Sequence, residues 1–243
     1  MNKLKFMEWL SRTELLVGEE NIEKLRESKV LVVGLGGVGA YAVEMLCRAG
    51  IGNMTIVDGD VVQASNRNRQ LPALSSTEGK SKAQLMGDRL IDINPELKLT
   101  IIAEYIKDDR MIEILDGDFD YVVDAIDTMA PKIYLIYHSL QKGLNVVSSM
   151  GAGGKFDPSQ IRVADIADSY NCTLARMLRK RLHRLGVRTG VQVVFSAEKH
   201  DKSKVVVTDG EQNKKSTVGT ISYLPPMFGC FVASIVIREI LDK

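Results

Sequence analysis

Arg67, Arg69, Lys80 and Lys82, in "SNRNRQ" (65–70) and "GKSKA" (79–83), lie between two aspartates that close apolar runs, Asp58 after "NMTIV" and Asp127 in "DAID". Cations collected between carboxylates suit an anionic substrate that a metal ion helps to hold. A carboxylate aimed at phosphate is repulsive unless a cation bridges the two, and Mg²⁺ binds through one or two carboxylates together with phosphate oxygens. Asp127 is therefore read as the magnesium ligand, with Asp124 capping or orienting the adjoining loop. Arg67, Arg69, Lys80 and Lys82 are read as a group that surrounds phosphates and takes up negative charge as a pyrophosphate leaves.

What would deliver the phosphates is the turn in "VLVVGLGGVGAYAVEML" (30–46), where Gly34, Gly36 and Gly39 fit G-x-G-x-x-G and Gly37 adds a fourth glycine. Between a strand and a helix, such glycines let backbone N–H groups and the positive end of the helix dipole approach phosphate. Asp58 follows at the end of the next apolar run, where a carboxylate accepts hydrogen bonds from ribose hydroxyls. Taken alone, the turn serves NAD, FAD or ATP equally well. A nicotinamide enzyme leaves Arg69, Lys82 and Asp127 unexplained, and a non-catalytic scaffold requires impaired phosphate contacts. The set as a whole points to magnesium-bound ATP.

These residues need a frame, and the hydrophobic pattern supplies one. Residues 4–27 read as two short helices joined at Gly18, with an apolar face that docks on the main body. Strands are expected at 29–34, 53–58, 97–106, 119–127 and 145–151, alternating with helices at 38–49, 78–93, 108–116 and 131–143. Such alternation predicts an α/β fold of Rossmann-like, doubly wound type, with a mainly parallel sheet. Beyond Gly154 the rhythm changes. A strand and turn at 155–167, a basic helix at 172–186 and strands at 190–198 and 204–209 predict an antiparallel or mixed extension of the same sheet, closed by a helix at 225–241. One domain spans 1–243: an N-terminal helical segment (1–27), a nucleotide-binding core (28–154) and a substrate-facing extension (155–243).

Composition excludes more than it assigns. The 243 residues carry a formal net charge of +1, so global charge selects no partner. Three scattered cysteines, Cys47, Cys172 and Cys230, form no CxxC pair, so neither a disulfide framework nor a four-cysteine zinc site can be written, and a cytoplasmic location is expected. Residues 227–237 are apolar but much shorter than the roughly 20 residues of a membrane span, so no integral membrane segment is expected. His138, His183 and His200 have no metal-ligand spacing. Cys47 and Cys230 read as core residues, and Cys172 as the start of a helix.

"GLGGVG", "DGDVV", "SNRNRQ", "GKSKA" and "DAID" resemble, in order and spacing, the E1-like adenylating enzymes of the ThiF, MoeB and HesA type. By position the resemblance implies that Asp58, with Asp60 beside it, holds the ribose side of ATP. Arg69 and Lys82 are implied to contact the phosphates, with Asn66 as a further polar contact to the nucleotide, and Asp127 to bind magnesium. It also implies a homodimer in which Arg12, in "SRTELLVG", reaches the partner's site in trans. The opening "RTELLVGEENIEKL", the block "SSMGAGGKFDPSQIRVADIADS" and the basic helix after it resemble the bacterial tRNA threonylcarbamoyladenosine dehydratase branch. That branch uses ATP to cyclise the modified adenosine of tRNA to a hydantoin through an adenylate, releasing AMP and pyrophosphate. Activation of the C-terminal glycine of a ubiquitin-like sulfur carrier is the competing expectation, but the two CxxC pairs common in those enzymes are missing. A sulfur-transfer protein is a further candidate partner.

The segment "RMLRKRLHRLGVR" interleaves leucines at helical spacing with Arg176, Arg179, Lys180, Arg181, Arg184 and Arg188. One face packs and the other is cationic, so on a nearly neutral protein it is the expected tRNA phosphate contact. Lys199, Lys202 and Lys204 would extend that patch, with Lys214 and Lys215 as outlying additions.

Overall fold

Lys29–Val33 form strand β1, and its side chains from Val30 onward are buried, as a central parallel strand covered on both faces requires. A computed structural model describes residues 8–199, 205–211 and 214–242, with the backbone alone for 205–211 and 214–217. Lys202, Lys204 and His200 lie outside the described residues, as do the side chains of Lys214 and Lys215.

Further strands are β2 (Asn53–Val57), β3 (Lys98–Ile102), β4 (Tyr121–Asp124), β5 (Asn145–Ser149), β6 (Ile161–Asp165) and β7 (Gln192–Ser196). They make one sheet of order β3-β2-β1-β4-β5-β7-β6, parallel throughout except for the antiparallel β6–β7 pair. Strand β1 pairs with β2 on one side and β4 on the other, with Val33 level with both Val57 and Asp124. Chain order reverses direction there, which opens a crevice beyond the carboxyl ends of β1, β2 and β4.

Helices cover both faces, and alternate residues of β1 serve each. Val30 and Val32 join the core under α2 (Glu19–Glu27), α3 (Gly39–Ala49), α4 (Lys82–Ile93) and α8 (Leu224–Leu241). Leu31 and Val33 join the core under α5 (Asp108–Leu115), α6 (Met129–Gln141) and α7 (Thr173–Arg184). Helix α8 is apolar and long enough by composition to cross a membrane, yet Leu224, Phe228, Val232 and Val236 are buried within the core. Gly229 lets α8 and α3 cross closely, since a Cβ there would lie 2.5 Å from the Val38 carbonyl oxygen.

Three expectations are corrected. Helix α4 begins at Lys82, not 78, because residues 79–81 pair with 61–62: Gly79 N–H donates to Val62 O and Val62 N–H to Lys80 O. Ser81 then caps the helix by accepting the Gln84 N–H. Strands β8 (Val205–Glu211) and β9 (Lys214–Val218) form a separate two-stranded sheet and do not extend the main one. In the N-terminal segment, Leu10, Ile22 and Leu25 dock, but α1 (Ser11–Val17) buries none of its residues, and Leu15 and Leu16 are 89% and 84% exposed.

Candidate active site

The four glycines divide their work. Gly34 takes a left-handed φ of +92°, and its N–H donates to Val57 O, tying the turn to the end of β2. A Cβ on Gly39 would stand 1.7 Å from the Gly34 carbonyl oxygen, and one on Gly34 would stand 2.7 Å from that of Ala125. These two glycines let the turn fold onto itself and onto the loop after β4. Gly37 is wedged between Pro225 at the start of α8 and Arg69. Only Gly36 is open: a Cβ there would meet nothing nearer than Gln70 Nε2, at 3.7 Å. Gly36 is therefore the position of the turn with room for a ligand to approach the backbone, at the entrance to α3 and its positive dipole end.

Asp58 is fixed behind the turn, one carboxylate oxygen accepting Leu35 N–H at 2.6 Å and the other Asp60 N–H at 2.7 Å. Burial pushes its pKa up, opposed first by the charge of Lys82. Lys82, at the head of α4, is only 4% exposed and donates to Asp60 at 2.7 Å. The Tyr105 hydroxyl also donates to Asp60. Lys82 is thus a held cation. An ammonium has three donors, so the Asp60 pair leaves capacity for phosphate.

Asn66 is buried and accepts the Gln63 N–H, closing the short turn at 64–66, so its side chain shapes the loop that presents Arg69. Arg69 is half-buried, and its Nη1 donates to Ser65 O at 3.1 Å and Asn68 Oδ1 at 2.8 Å. Burial pulls its pKa down and the charge of Asp127 opposes this, which places cation and carboxylate in one electrostatic neighbourhood. Arg67 lies in solvent. Asn68 donates to Thr220 O, so the segment leading into α8 is stitched to this loop.

Sequence reasoning missed two residues. Gln70 is buried, and its Oε1 is the buried side-chain oxygen without a hydrogen-bond partner among the described residues. An orphaned polar atom beside open Gly36 fits a polar ligand that completes the site. "RQ" adjoining a phosphate-reading arginine was the available signal. The second is Lys132, fully buried on α6, whose Nζ pairs with Asp124 at 2.7 Å and donates to Ile126 O at 3.0 Å. Asp124 also accepts Ser148 Oγ–H at 2.6 Å and Ile126 N–H at 3.1 Å. Strand β4 ends at this buried carboxylate, and Asp127 stands exposed three residues on, at the end of a loop pinned from both sides.

Arg12 is exposed on α1. Leu10, the residue before α1, packs on Gly50, which caps the end of α3 opposite the glycine turn. On α7, Arg176, Lys180, Arg181 and Arg184 are exposed, as is Arg188 beyond its end. Arg179 is turned inward, its Nη1 donating to Ile166 O, Ser169 O and Ser169 Oγ at 2.8–2.9 Å. It holds the turn at 166–169 against the helix, so the cationic face is built without it. No thiol is set up as a nucleophile: Cys47 is buried and pushed up to about 11, Cys230 is also pushed up by burial, and Cys172 accepts the Ala175 N–H as the cap of α7.

Comparison with known proteins gives the family and the fold. The ThiF family model matches residues 10–243. The tRNA threonylcarbamoyladenosine dehydratase of Bacillus subtilis is 39% identical over 230 residues, covering 93% of this chain and 88% of that protein. The Escherichia coli tRNA N6-threonylcarbamoyladenosine dehydratase solved with ATP superposes with a TM-score of 0.87 at 33% identity, covering 96% of this chain and 93% of that one. The same enzyme solved with AMP gives a TM-score of 0.87 at 34% identity, with the same coverage.

Proposed function

The chain belongs to the ThiF family, and from that premise we propose that it is an ATP-dependent dehydratase of threonylcarbamoyladenosine in tRNA. The observation that carries this is the placement of Arg69 against Gly37 and of orphaned Gln70 against open Gly36, with Lys82 held at Asp60 beside the Asp58 that bonds Leu35 of the same turn. Near full-length similarity to dehydratases, with structures solved in the presence of ATP or AMP, supplies the substrate.

The threonyl carboxylate attacks the α-phosphorus of ATP in line with the departing pyrophosphate, giving an acyl adenylate. Its carbamoyl nitrogen then attacks the activated carbonyl carbon and loses its proton. AMP departs with the former carboxylate oxygen, and the ring closes to the hydantoin. Nucleophile and electrophile share one substrate, so orientation supplies much of the second step and no enzyme nucleophile is needed. Backbone N–H groups at Gly36 and the start of α3 cradle phosphate, Asp58 receives the ribose, and Arg69 and Lys82 neutralise charge on the leaving pyrophosphate. Asp127 is the residue that would hold magnesium, and the ion would supply charge that offsets the repulsion between carboxylate and nucleotide. Arg12 completes the site of a second copy, a reading supported by its exposure on α1 and by the docking of the preceding Leu10 at the end of α3 opposite the turn. The exposed cations of α7 receive tRNA phosphates, and three unpaired cysteines favour a cytoplasmic location.

The test is to incubate the protein with ATP, magnesium and threonylcarbamoyladenosine-bearing tRNA, digest the RNA and weigh the nucleosides. Loss of one water from the modified nucleoside with AMP formed is expected. Unchanged nucleoside mass despite ATP turnover would reject the tRNA substrate.

A further inference from the structure

Beside the crevice, an exposed phenylalanine is held in place with unusual care. Phe156 is 61% exposed, yet its N–H and that of Asp157 both donate to Glu198 Oε2, at 2.8 and 3.0 Å. Its carbonyl accepts the Tyr223 hydroxyl at 2.9 Å, and the two rings meet edge to face with centroids 6.0 Å apart. The preceding Lys155, 5% exposed, donates to the carbonyls of Asn171 and Glu198, clamping this loop to the entrance of α7. Next to Asn171, Tyr170 is also half in solvent, with its ring edge on Phe195. These bonds fix the backbone that carries the ring, and the edge-to-face contact with Tyr223 joins two solvent-facing rings into one aromatic surface on a held loop.

The position of the pair says what that partner is. Tyr223 lies two residues before Pro225, which packs on Gly37 of the glycine turn, and Gly154 N–H is tied to Gly219 O at 2.7 Å. The rings therefore border the nucleotide crevice on one side. On the other, through Lys155 and Tyr170, they run into α7 with its exposed Arg176, Lys180, Arg181 and Arg184. An aromatic surface between a reaction centre and a cationic helix face matches single-stranded RNA, whose splayed bases stack on aromatic rings while phosphates follow the positive charge. An apolar protein partner would find no comparable reason for the flanking cations.

We propose that Phe156 and Tyr223 form a stacking platform for an unpaired base of the RNA substrate adjacent to the nucleotide being modified, with Tyr170 on the path from this platform to α7. The proposal rests on the dehydratase reading and adds to it a subsite that positions the RNA loop. Phe156→Leu keeps apolar bulk and removes the π-face. Its KM for tRNA is expected to rise about 5- to 100-fold, in line with the removal of one base–aromatic stack, while KM for ATP and the melting temperature stay at wild-type values. Phe156→Trp restores binding. In an RNA stem-loop carrying 2-aminopurine next to the modified adenosine, wild-type protein quenches the fluorescence on binding and Phe156→Leu does not. If wild-type protein converts the tRNA but Phe156→Leu matches it in KM and quenching, the platform is overturned and the dehydratase reading stands. If wild-type protein neither converts the tRNA nor binds the stem-loop, both fall. A change in oligomeric state with tRNA kinetics unaltered assigns the rings to a second copy of the chain and overturns the proposal.

Discussion

The crevice and the outer face of α7 both display positive charge, but they hold it differently. In the crevice, Lys82 is buried against Asp60, Arg69 is half-buried with its guanidinium bonded to Ser65 and Asn68, and the loop bearing Asp127 is pinned by the Asp124–Lys132 pair. On α7 the exposed Arg176, Lys180, Arg181 and Arg184 stand in solvent, and the one arginine with internal partners, Arg179, faces the protein. The first arrangement is preorganised to meet charge that develops at one point, where low dielectric strengthens every interaction. The second is a diffuse, adaptable field of the kind that suits recruitment of a polyanion and that salt weakens, as the proposed tRNA contact requires. Charge built for catalysis and charge built for recruitment are therefore distinguishable by their partners.

The sharpest break in this contrast comes from the crevice. Asp127→Ala is expected to lower AMP formation at least 10²- to 10³-fold, and Arg69→Ala about as much, comparable to removing one preorganised charge-stabilising group. Both residues sit outside the core, so melting temperatures should stay near wild type; a large drop in them would recast the two as structural. Pyrophosphate release at saturating ATP is the readout.

Next in size is the support beneath that loop. Lys132→Met leaves Asp124 buried without its countercharge, and denaturant unfolding should show a decrease of about 3–5 kcal/mol at neutral pH. Burial already pushes the Asp124 pKa up, with Lys132 as the main opposing influence. Without the lysine the carboxyl is raised further above its unfolded value. The fold then favours the protonated form, so the variant should regain stability as pH falls and lose it as pH rises through the raised value. A destabilisation independent of pH would contradict this role for the pair.

The smallest effect belongs to α7. Arg181→Glu with Arg184→Glu should weaken tRNA binding about tenfold and reduce the slope of log affinity against log salt by about one for each phosphate no longer neutralised, leaving KM for ATP unchanged. Arg179→Ala should instead cost stability by freeing the turn at 166–169. Equal effects on tRNA affinity from both variants would erase the distinction between the inward and outward arginines.

The frame and much of the site were legible because both rest on local pattern. Buried apolar runs gave β1, β2 and β4, and the spacing of Gly34, Gly36 and Gly39 located the turn at their carboxyl edge. The rest depended on pairings across the chain. The start of α4 moved to Lys82 because backbone at 79–81 bonds to 61–62, a competition that no helical period records. Lys132 looked like an ordinary helix residue until the fold set it against Asp124, and the part Asn66 plays in closing its own turn depends on the Gln63 N–H. Within one motif, Gly34 and Gly39 turned out to serve chain packing while Gly36 stays open, a division set by neighbours at Ala125 and Gln70. On α7, periodicity separated the leucines from the cations but could not single out Arg179, which depends on carbonyls at 166 and 169.

Activation of the substrate carboxylate by AMP is the central claim, and the fate of one oxygen tests it. With threonylcarbamoyladenosine in tRNA carrying ¹⁸O in its carboxylate, a single turnover with unlabelled ATP should deliver one ¹⁸O atom to the phosphate of AMP and none to pyrophosphate. AMP without label, or label recovered in inorganic phosphate alongside ADP, would contradict the acyl adenylate.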